Sequence, residues 1–275
     1  MPRKDSPKPD AGLLVQPGST VRLADRDARA APDGLDKEAA KQQTKEDALV
    51  IDSLQDRLYA EGRRSLLVVL QGVDTSGKDG TIRAVFNAAG PLGVRVTSFR
   101  VPSAEELAHD FLWRVHCHVP PKGIIGIFNR SHYEDVLVVR VKNLVPPDAI
   151  EKRYDQINQF EKHLVESNVS ILKFMLHISP EEQKKRLIER VQNPKKQWKF
   201  NPADLEDRKL WKEYHKAYEV MLGRCSTKWV PWHVIPADRN WVRNATIARI
   251  VRRKLEEMNP QYPKPDWNPA DFKIV

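Results

Sequence analysis

The residues with the clearest chemical potential form one short segment, Gly72 to Thr81, with the sequence GVDTSGKDGT. It fits the phosphate-binding pattern G-x-x-x-x-G-K, with Lys78 as the lysine. Gly72 and Gly77 permit backbone conformations that a Cβ would penalise, so successive N–H groups can point at phosphate oxygens. Lys78 adds a mobile positive charge for the terminal phosphates. The segment therefore predicts a phosphate cradle, to which we also assign Ser76, Asp79, Gly80 and Thr81.

The same segment departs from the usual pattern by carrying two acids. Asp79 stands where Ser or Thr normally supplies a hydroxyl to magnesium, and Asp74 lies inside the loop. Two carboxylates in a phosphate cradle would repel the ligand unless a divalent cation stood between them. We therefore predict a Mg²⁺-dependent catalytic site with Asp74 as a metal ligand. A Gly-rich turn without a ligand is the alternative, and Lys78 argues against it.

A second polar cluster, Asn129 to Asp135, directly follows the apolar run 124–128. Because it follows a buried strand, we expect it to emerge at the same sheet edge as the phosphate cradle. Arg130 could bridge transferring phosphates, since guanidinium matches phosphate oxygens in bidentate geometry. Glu134 and its neighbour Asp135 could reach magnesium directly or through water. The alternative is a helix N-terminus, in which Asn or Ser caps the helix and the acids complement its dipole.

A third cluster is strongly basic. Between Lys184 and Lys199 there are seven basic residues and one acid. Arg186 and Arg190 are four residues apart and so share one helix face. A solvated helix face is the ordinary explanation, but so one-sided a stretch favours a polyanionic ligand. We expect Arg186, Arg190 and Lys199 to contact phosphates, with Arg190 able to serve at the transferring phosphate.

The elements that must position these clusters alternate along the chain. Helical patterns occur at 48–59, 81–89, 104–115, 149–167, 180–190 and 241–258, and strand-like runs at 66–70, 94–99, 124–128, 171–177 and 232–235. This alternation predicts an α/β fold, a parallel sheet of about five strands covered on both faces by helices. Ligands of such sheets bind at the carboxyl ends of the strands, where the cradle falls.

The sequence also predicts how the chain is organised outside the sheet. Residues 1–45 have little periodicity and predict an N-terminal extension with loosely held segments. Residues 46–260 form the predicted α/β domain, and residues 261–275 a tail. Residues from about 184 to 215 interrupt the alternation with a basic helical hairpin, which predicts a lid over the phosphate site. We further expect Asp238 to cap the last helix.

Three motifs, in order, carry a resemblance to a known family. GVDTSGKDG at 72–80, FNRSHYEDV at 128–136 and PADRNW at 236–241 resemble the second family of polyphosphate kinases, over roughly residues 45–260. The resemblance implies a three-layer P-loop kinase core, a helical lid and magnesium. It also implies phosphoryl transfer between inorganic polyphosphate and a nucleotide.

The resemblance extends to single residues. Residues matching Asp74 and Lys78 are essential in that family, and Asn129 and Arg130 match an Asp-Arg pair. Asn129 is a departure, because many members carry a carboxylate there. The motif as it stands resembles the branch that uses both AMP and ADP, giving ADP and ATP. A neutral amide at position 129 would reduce repulsion against an additional phosphate.

Bulk properties narrow the remaining classes. The formal net charge is +9, which implies anionic partners. We expect no membrane span, because no apolar stretch approaches the required length of roughly 18 residues. Neither a secretory signal nor a cysteine framework is evident, so we expect a cytoplasmic protein. The aromatic tail suggests a homo-oligomer.

Two other functions stay open at this point. An ATP-dependent kinase for a small molecule or nucleoside monophosphate would share the cradle but would need no long cationic track. A non-enzymatic polyanion binder, for example of RNA, would leave Asp74 and Asp79 without a purpose and lacks the recognised nucleic-acid motifs. We therefore expect no nucleic-acid partner.

Overall fold

A computed structural model describes residues 11–31, 35–268 and 271–272. Its centre is one parallel sheet with the strand order β2-β3-β1-β4-β5. The strands are β1 (Ser65–Gln71), β2 (Val94–Ser98), β3 (Ile125–Asn129), β4 (Val169–His177) and β5 (Trp232–Pro236). Leu66 of β1 lies opposite Ile125 of β3 and Ser170 of β4. The α/β class, the parallel sheet and all five predicted strands are confirmed.

Helices cover both faces of this sheet. They are α1 (Lys37–Glu61), α2 (Lys78–Val85), α3 (Ala104–Leu107), α4 (Trp113–His116), α5 (Val138–Val141), α6 (Pro147–Glu166), α7 (Pro180–Gln192), α8 (Ala203–Lys209), α9 (Trp211–Cys225) and α10 (Asn240–Met258). Short 3-10 helices occupy Ala11–Leu13, Leu23–Asp25, His132–Val136 and Gln197–Lys199. No helix of the described ranges has the length and apolar character needed to cross a bilayer.

The two hydrophobic cores follow from the alternation of side chains along β1. Leu66 and Val68 belong to a core shared with α1, α2 and α10. Leu67 and Val69 belong to a second core shared with α6 and α9. Successive strand residues face opposite sides of a sheet, so a fully apolar central strand supplies both cores. The result is the three-layer arrangement expected from the sequence.

Two helix predictions need correction. The predicted helix 104–115 is two short helices, because the Asp110 carboxylate accepts the Leu112 N–H at 2.9 Å and offers the backbone a turn instead. The first long helix begins at Lys37 rather than at residue 48. It therefore crosses residue 45, the predicted boundary between the extension and the domain.

Residues 14–23, which belong to the predicted N-terminal extension, are hydrogen-bonded to β5 and α9. Val15 donates its N–H to the Trp232 carbonyl at 2.9 Å, and the Leu23 N–H donates to the Glu219 carboxylate at 2.8 Å. The side chains of Val15 and Leu23 are buried. This stretch therefore belongs to the body of the protein, beside β5. Residues 1–10, also assigned to the extension, lie outside the described part of the chain.

The predicted cap at Asp238 is also wrong. Its carboxylate accepts the backbone N–H and the hydroxyl of Ser179, at 2.8 and 2.7 Å. Helix α10 instead begins after Arg239, whose side chain makes no capping bond. Asp238 thus ties the end of β5 to the start of α7.

Candidate active site

The phosphate loop, residues 72–78, joins β1 to α2 and depends on its two glycines. Gly72 has φ 152°, and a Cβ there would approach the Leu176 carbonyl oxygen to 2.9 Å. Gly77 has φ 103°, and a Cβ there would lie 1.9 Å from Nη1 of Arg243. Positive φ and close neighbours together exclude a side chain at both positions. The path of the loop is therefore fixed by its sequence and by what packs behind it.

Lys78 begins α2 and is almost fully buried, with 8% exposure. Its Nζ donates to the carbonyl oxygens of Gly72 at 2.7 Å and Val73 at 3.4 Å. Burial is the main cause that lowers the pKa of Lys78 to about 8; the positive charge of Arg130 acts in the same direction, and the negative charge of Asp74 partly offsets both. Desolvation penalises the ammonium form, and a nearby anion restores it. The positive charge of Lys78 is therefore directed at the loop and is sensitive to what binds there.

Asp74, Arg130 and Glu134 meet beside the loop. Nη2 of Arg130 donates a short hydrogen bond to Oδ1 of Asp74, and Nη1 lies 3.6 Å from Oε2 of Glu134. Burial alone would lower the pKa of Arg130, but Glu134 and Asp74 raise it above its usual value. The backbone of Arg130 has φ 64°, a conformation that costs a non-glycine residue about 1–3 kcal/mol. Arg130 thus has a strained backbone, and its permanently charged guanidinium lies between two carboxylates.

The residues around Glu134 orient it toward this centre. Gln71, the last residue of β1, donates its amide to Oε1 of Glu134 at 2.9 Å. Ser131 caps the following 3-10 helix by accepting the Tyr133 N–H at 3.2 Å, so the capping interpretation of this cluster also holds. Asp135 lies elsewhere. It pairs with Arg153 at 3.1 Å, and burial raises its pKa to about 6.

The carboxylates present fit a magnesium ion that binds together with phosphates. Asp74 and Glu134 supply the hard oxygen ligands that Mg²⁺ prefers. Within residues 11–31, 35–268 and 271–272, no group of three or more His, Cys, Asp or Glu side chains could hold a metal. Mg²⁺ is commonly held by one or two protein carboxylates plus substrate phosphates, so this donor set suits it.

Asn129, Asp79 and Lys199 form a second, more exposed group. The Asn129 amide donates to Oδ1 of Asp79 at 2.9 Å, and Nζ of Lys199 lies 3.1 Å from Oδ2. These two bonds lower the pKa of Asp79 against the opposing effect of its burial. The group joins the end of β3, the start of α2 and the 3-10 helix Gln197–Lys199. The lid, residues 184–215, therefore reaches the phosphate loop through Lys199.

The two lid arginines that were predicted to contact phosphates, Arg186 and Arg190, have different partners. Nη1 of Arg190 donates to Asp204 at 3.1 Å and to the Lys199 carbonyl at 3.3 Å. Burial raises the pKa of Asp204, and the negative charge of Asp74 raises it further. Arg190 and Asp204 thus sit on the side of the lid that faces the Asp74 centre.

Arg186 lies behind the loop instead. Its guanidinium donates to the carbonyls of Thr75 and Ser76, and to those of Ala237 and Asp238. Its Nε donates to Glu182 at 2.8 Å. All five N–H bonds of this side chain are thereby used within the protein. The sequence-based expectation placed Arg186 on a polyphosphate track, and the structure places it against the loop backbone.

The remaining predicted residues line the loop. Ser76 is buried against Gly72, and the hydroxyl of Thr81 donates to the Gly77 carbonyl at 3.2 Å. Gly80 is exposed in the first turn of α2. The backbone of this turn, rather than these side chains, is what remains available to a ligand.

A concave pocket opens on the lid side of the Asp74 centre. Its lining is Gly72, Val73, Asp74, Arg130, Glu134, Leu137, Val138, Gln183, Asp207, Trp211, Tyr214 and Tyr218. Its lining combines charged side chains with aromatic and aliphatic ones, which suits a ligand that carries both phosphate and apolar groups.

Four residues near the centre escape sequence reasoning. Gln71 had a visible signal, because it is the polar residue that ends an apolar strand. Gln183, whose amide donates to the Asp74 carbonyl at 3.4 Å, gave no local signal on its helix. Asp204 and Arg243 also gave no local signal, because each contacts a partner that is distant in sequence.

Comparison with known proteins gives a consistent set of similarities. Residues 34–263 match the family model described as Polyphosphate kinase 2. The chain is 56% identical over 225 residues to the AMP/ADP-polyphosphate phosphotransferase of Meiothermus ruber, which covers 82% of this chain and 84% of that protein. It is 40% identical over 226 residues to the ADP-polyphosphate phosphotransferase of Rhodopseudomonas palustris, covering 78% of each chain.

Solved structures agree with the sequence comparisons. The crystal structure of a polyphosphate kinase 2 from Arthrobacter aurescens superposes with a TM-score of 0.92 at 39% identity, covering 96% of this chain and 94% of that one. At that similarity the two chains share their fold along almost their whole length.

Proposed function

The chain belongs to the polyphosphate kinase 2 family, and from this premise we propose that it transfers phosphoryl groups from inorganic polyphosphate to AMP and to ADP, with Mg²⁺. The products are ADP and ATP, and the transfer is reversible. The observation that carries the proposal is the meeting of Asp74, Arg130 and Glu134 beside Lys78 at the phosphate loop.

The proposed step needs no covalent intermediate with the protein. A terminal phosphate oxygen of the nucleotide attacks the terminal phosphorus of polyphosphate, and the bridging P–O bond breaks. The leaving polymer is one phosphate shorter and keeps the electron pair of that bond. Phosphoryl transfer of this kind depends on positioning and on charge neutralisation.

Each group near the loop has a part in this proposal. The loop N–H groups and Lys78 hold phosphates, and Arg130 spans donor and acceptor oxygens. Asp74 and Glu134 would hold magnesium, which when bound neutralises charge on the phosphate oxygens. Lys199 and Arg190 extend the positive surface from the loop onto the lid, as a polymer requires.

Use of both acceptors is supported by Asn129 and by one relative. Asn129 presents a neutral amide beside Asp79, so an additional acceptor phosphate meets less negative charge than a carboxylate would impose. The relative from Meiothermus ruber is named for AMP and ADP together. A cytoplasmic location, a homo-oligomeric state and the absence of nucleic-acid or membrane partners stay predictions from the sequence.

The proposal is tested by incubating the protein with Mg²⁺, long-chain polyphosphate and either AMP or ADP, without added ATP. We expect ADP and ATP from AMP, and ATP from ADP, by nucleotide chromatography. Product from ADP alone would contradict the dual-acceptor part. Product only when ATP replaces polyphosphate as donor would favour the ATP-dependent kinase instead.

A further inference from the structure

Two arginines from different helices hold the same carbonyl group of the phosphate loop. Nη1 of Arg186, on α7, lies 3.1 Å from the Ser76 oxygen, and Nη1 of Arg243, on α10, lies 3.2 Å from it. Arg186 also donates to the Thr75 oxygen at 2.9 Å. Two guanidinium groups therefore hold the loop through hydrogen bonds to its backbone carbonyl oxygens.

This contact dictates which way the loop N–H groups point. The peptide bond is planar, and in its trans form the C=O and N–H point in opposite directions. Fixing the Ser76 carbonyl toward the arginines turns the Gly77 N–H away from them. The preceding peptide behaves in the same way, since the Ser76 N–H donates to the Val73 carbonyl at 3.1 Å, inside the loop. The Gly77 N–H thus points to the side on which a phosphate would lie.

The close approach of Arg243 depends on Gly77. A Cβ on Gly77 would lie 1.9 Å from Nη1 of Arg243, so a glycine is needed here for space as well as for φ. Arg243 is only 4% exposed, and its side chain donates to neutral oxygens of Ser76 and Asn244. Burial, together with the positive charge of Arg186, lowers its pKa to about 9. The Arg243 guanidinium is charged despite this desolvation penalty. It therefore adds positive potential directly behind the loop.

We propose that Arg186 and Arg243 are positioning residues, which aim the Gly77 N–H at the transferred phosphate and place two positive charges behind it. They touch neither the nucleotide nor the polymer. The inference rests on the proposed function, and it assigns Arg186 to the loop instead of to the polyphosphate track. Preorganised donors act on the transition state, so the effect belongs in kcat rather than in polymer affinity.

The test uses Arg186→Lys and Arg243→Lys, which keep the charge but cannot hold the carbonyls in the same geometry. Lys254→Gln on α10 is the matched control, since Lys254 pairs with Glu257 near the other end of that helix. For each protein, kcat, the KM for polyphosphate at two ionic strengths and the unfolding midpoint are measured.

We expect both lysine variants to lose about tenfold or more in kcat with either acceptor. Their polymer KM and its salt dependence should stay close to those of the control, and both variants should remain folded at the assay temperature although their unfolding midpoints fall. An unchanged kcat would overturn the proposal. So would a raised polymer KM with a shallower salt slope, which would make the arginines direct ligands, or unfolding of both variants, which would make them purely structural. Failure of the proposed function would show in the wild-type enzyme, whereas failure of this inference shows only in the variants.

Discussion

Asp74 is the residue on which the proposed function depends most directly, since it pairs with Arg130 and would supply a carboxylate to magnesium. Asp74→Asn is nearly isosteric and sits at a partly exposed position, so the fold should survive. We expect kcat to fall about 100-fold or more at saturating Mg²⁺, because the lost charge is the electrostatic contribution that dominates this chemistry. Steady-state kinetics and a thermal unfolding curve measure the two effects separately.

Asp135 supplies the matched control for that substitution. It belongs to the same polar segment but pairs with Arg153 at 3.1 Å, away from the loop. Asp135→Asn should therefore keep kcat within a few-fold of wild type. Equal losses of kcat in Asp74→Asn and Asp135→Asn would show that neither carboxylate has a specific role.

Lys78 makes a prediction about pH. Because burial lowers its pKa to about 8, the folded state carries a penalty for the ammonium form below pH 8. That penalty disappears as pH rises through 8 toward the unfolded value of roughly 10.4. The free energy of unfolding of wild type relative to Lys78→Met should therefore increase between pH 7 and pH 9.5. Denaturant titrations at both pH values measure it, and a difference that stays constant would contradict the lowered pKa.

At the scale of single residues, the sequence was informative where chemistry and local pattern coincide. Gly72, Gly77 and Lys78 are spaced by the loop itself, and the structure places all three on the loop between β1 and α2. Arg243 is different, because it lies 167 residues from its partner Ser76 and is one of several arginines on α10. No local pattern separates it from the others. Only packing of α10 behind the loop reveals its position.

The lid is the element whose charges can be tested as a unit. Lys199 reaches Asp79, and Arg190 reaches Asp204 near the Asp74 centre. Arg190→Gln/Lys199→Gln should raise the KM for polyphosphate more than the KM for ADP, because a polymer extends beyond the loop and a nucleotide does not. Contacts to several phosphates release counterions, so the salt dependence of the polymer KM should become shallower.

Lys185→Gln is a suitable comparison, since the Lys185 side chain on α7 is 79% exposed and its Nζ lies 3.9 Å from Glu182. Measuring both KM values at two ionic strengths separates the outcomes. If the double variant raises both constants equally and leaves the salt slope unchanged, Arg190 and Lys199 act in lid closure and not in holding the polymer.

The sequence predicts elements well where the hydrophobic pattern determines them. It predicts them poorly where a side-chain hydrogen bond determines where a helix begins or breaks. The five strands are apolar runs, and their positions are confirmed within two residues. The break within 104–115 comes from Asp110, and the start of α1 comes from Asp36, which caps the Ala39 N–H at 2.8 Å. Asp238 shows the converse. Its position suggests a helix cap, but its carboxylate accepts hydrogen bonds from Ser179, which is distant in sequence.

The whole molecule is held together near the site by a buried ion pair. Nζ of Lys173, on β4, lies 2.6 Å from Glu161, on α6, and also donates to the Tyr133 hydroxyl at 2.8 Å. Both charged side chains are fully buried. The network joins the central sheet, one covering helix and the segment that carries Glu134.

Breaking this pair should destabilise the entire fold. Lys173→Met leaves the Glu161 carboxylate buried without its cation, which costs about 3–5 kcal/mol. Lys173→Met/Glu161→Leu removes both charges and should recover a large part of that loss. Chemical denaturation of the two variants and wild type measures the difference. A double variant that is no more stable than Lys173→Met would contradict the charge argument.

The central claim is that polyphosphate donates directly to the nucleotide at the Asp74 centre. The most direct measurement follows ³²P from labelled long-chain polyphosphate into nucleotide, with AMP and Mg²⁺ present and no ATP, in wild type, Asp74→Asn and Asp135→Asn. We predict label in ADP and then in ATP with wild type and Asp135→Asn, and almost none with Asp74→Asn. Absence of labelled nucleotide with wild type, or equal labelling with Asp74→Asn, would contradict the account.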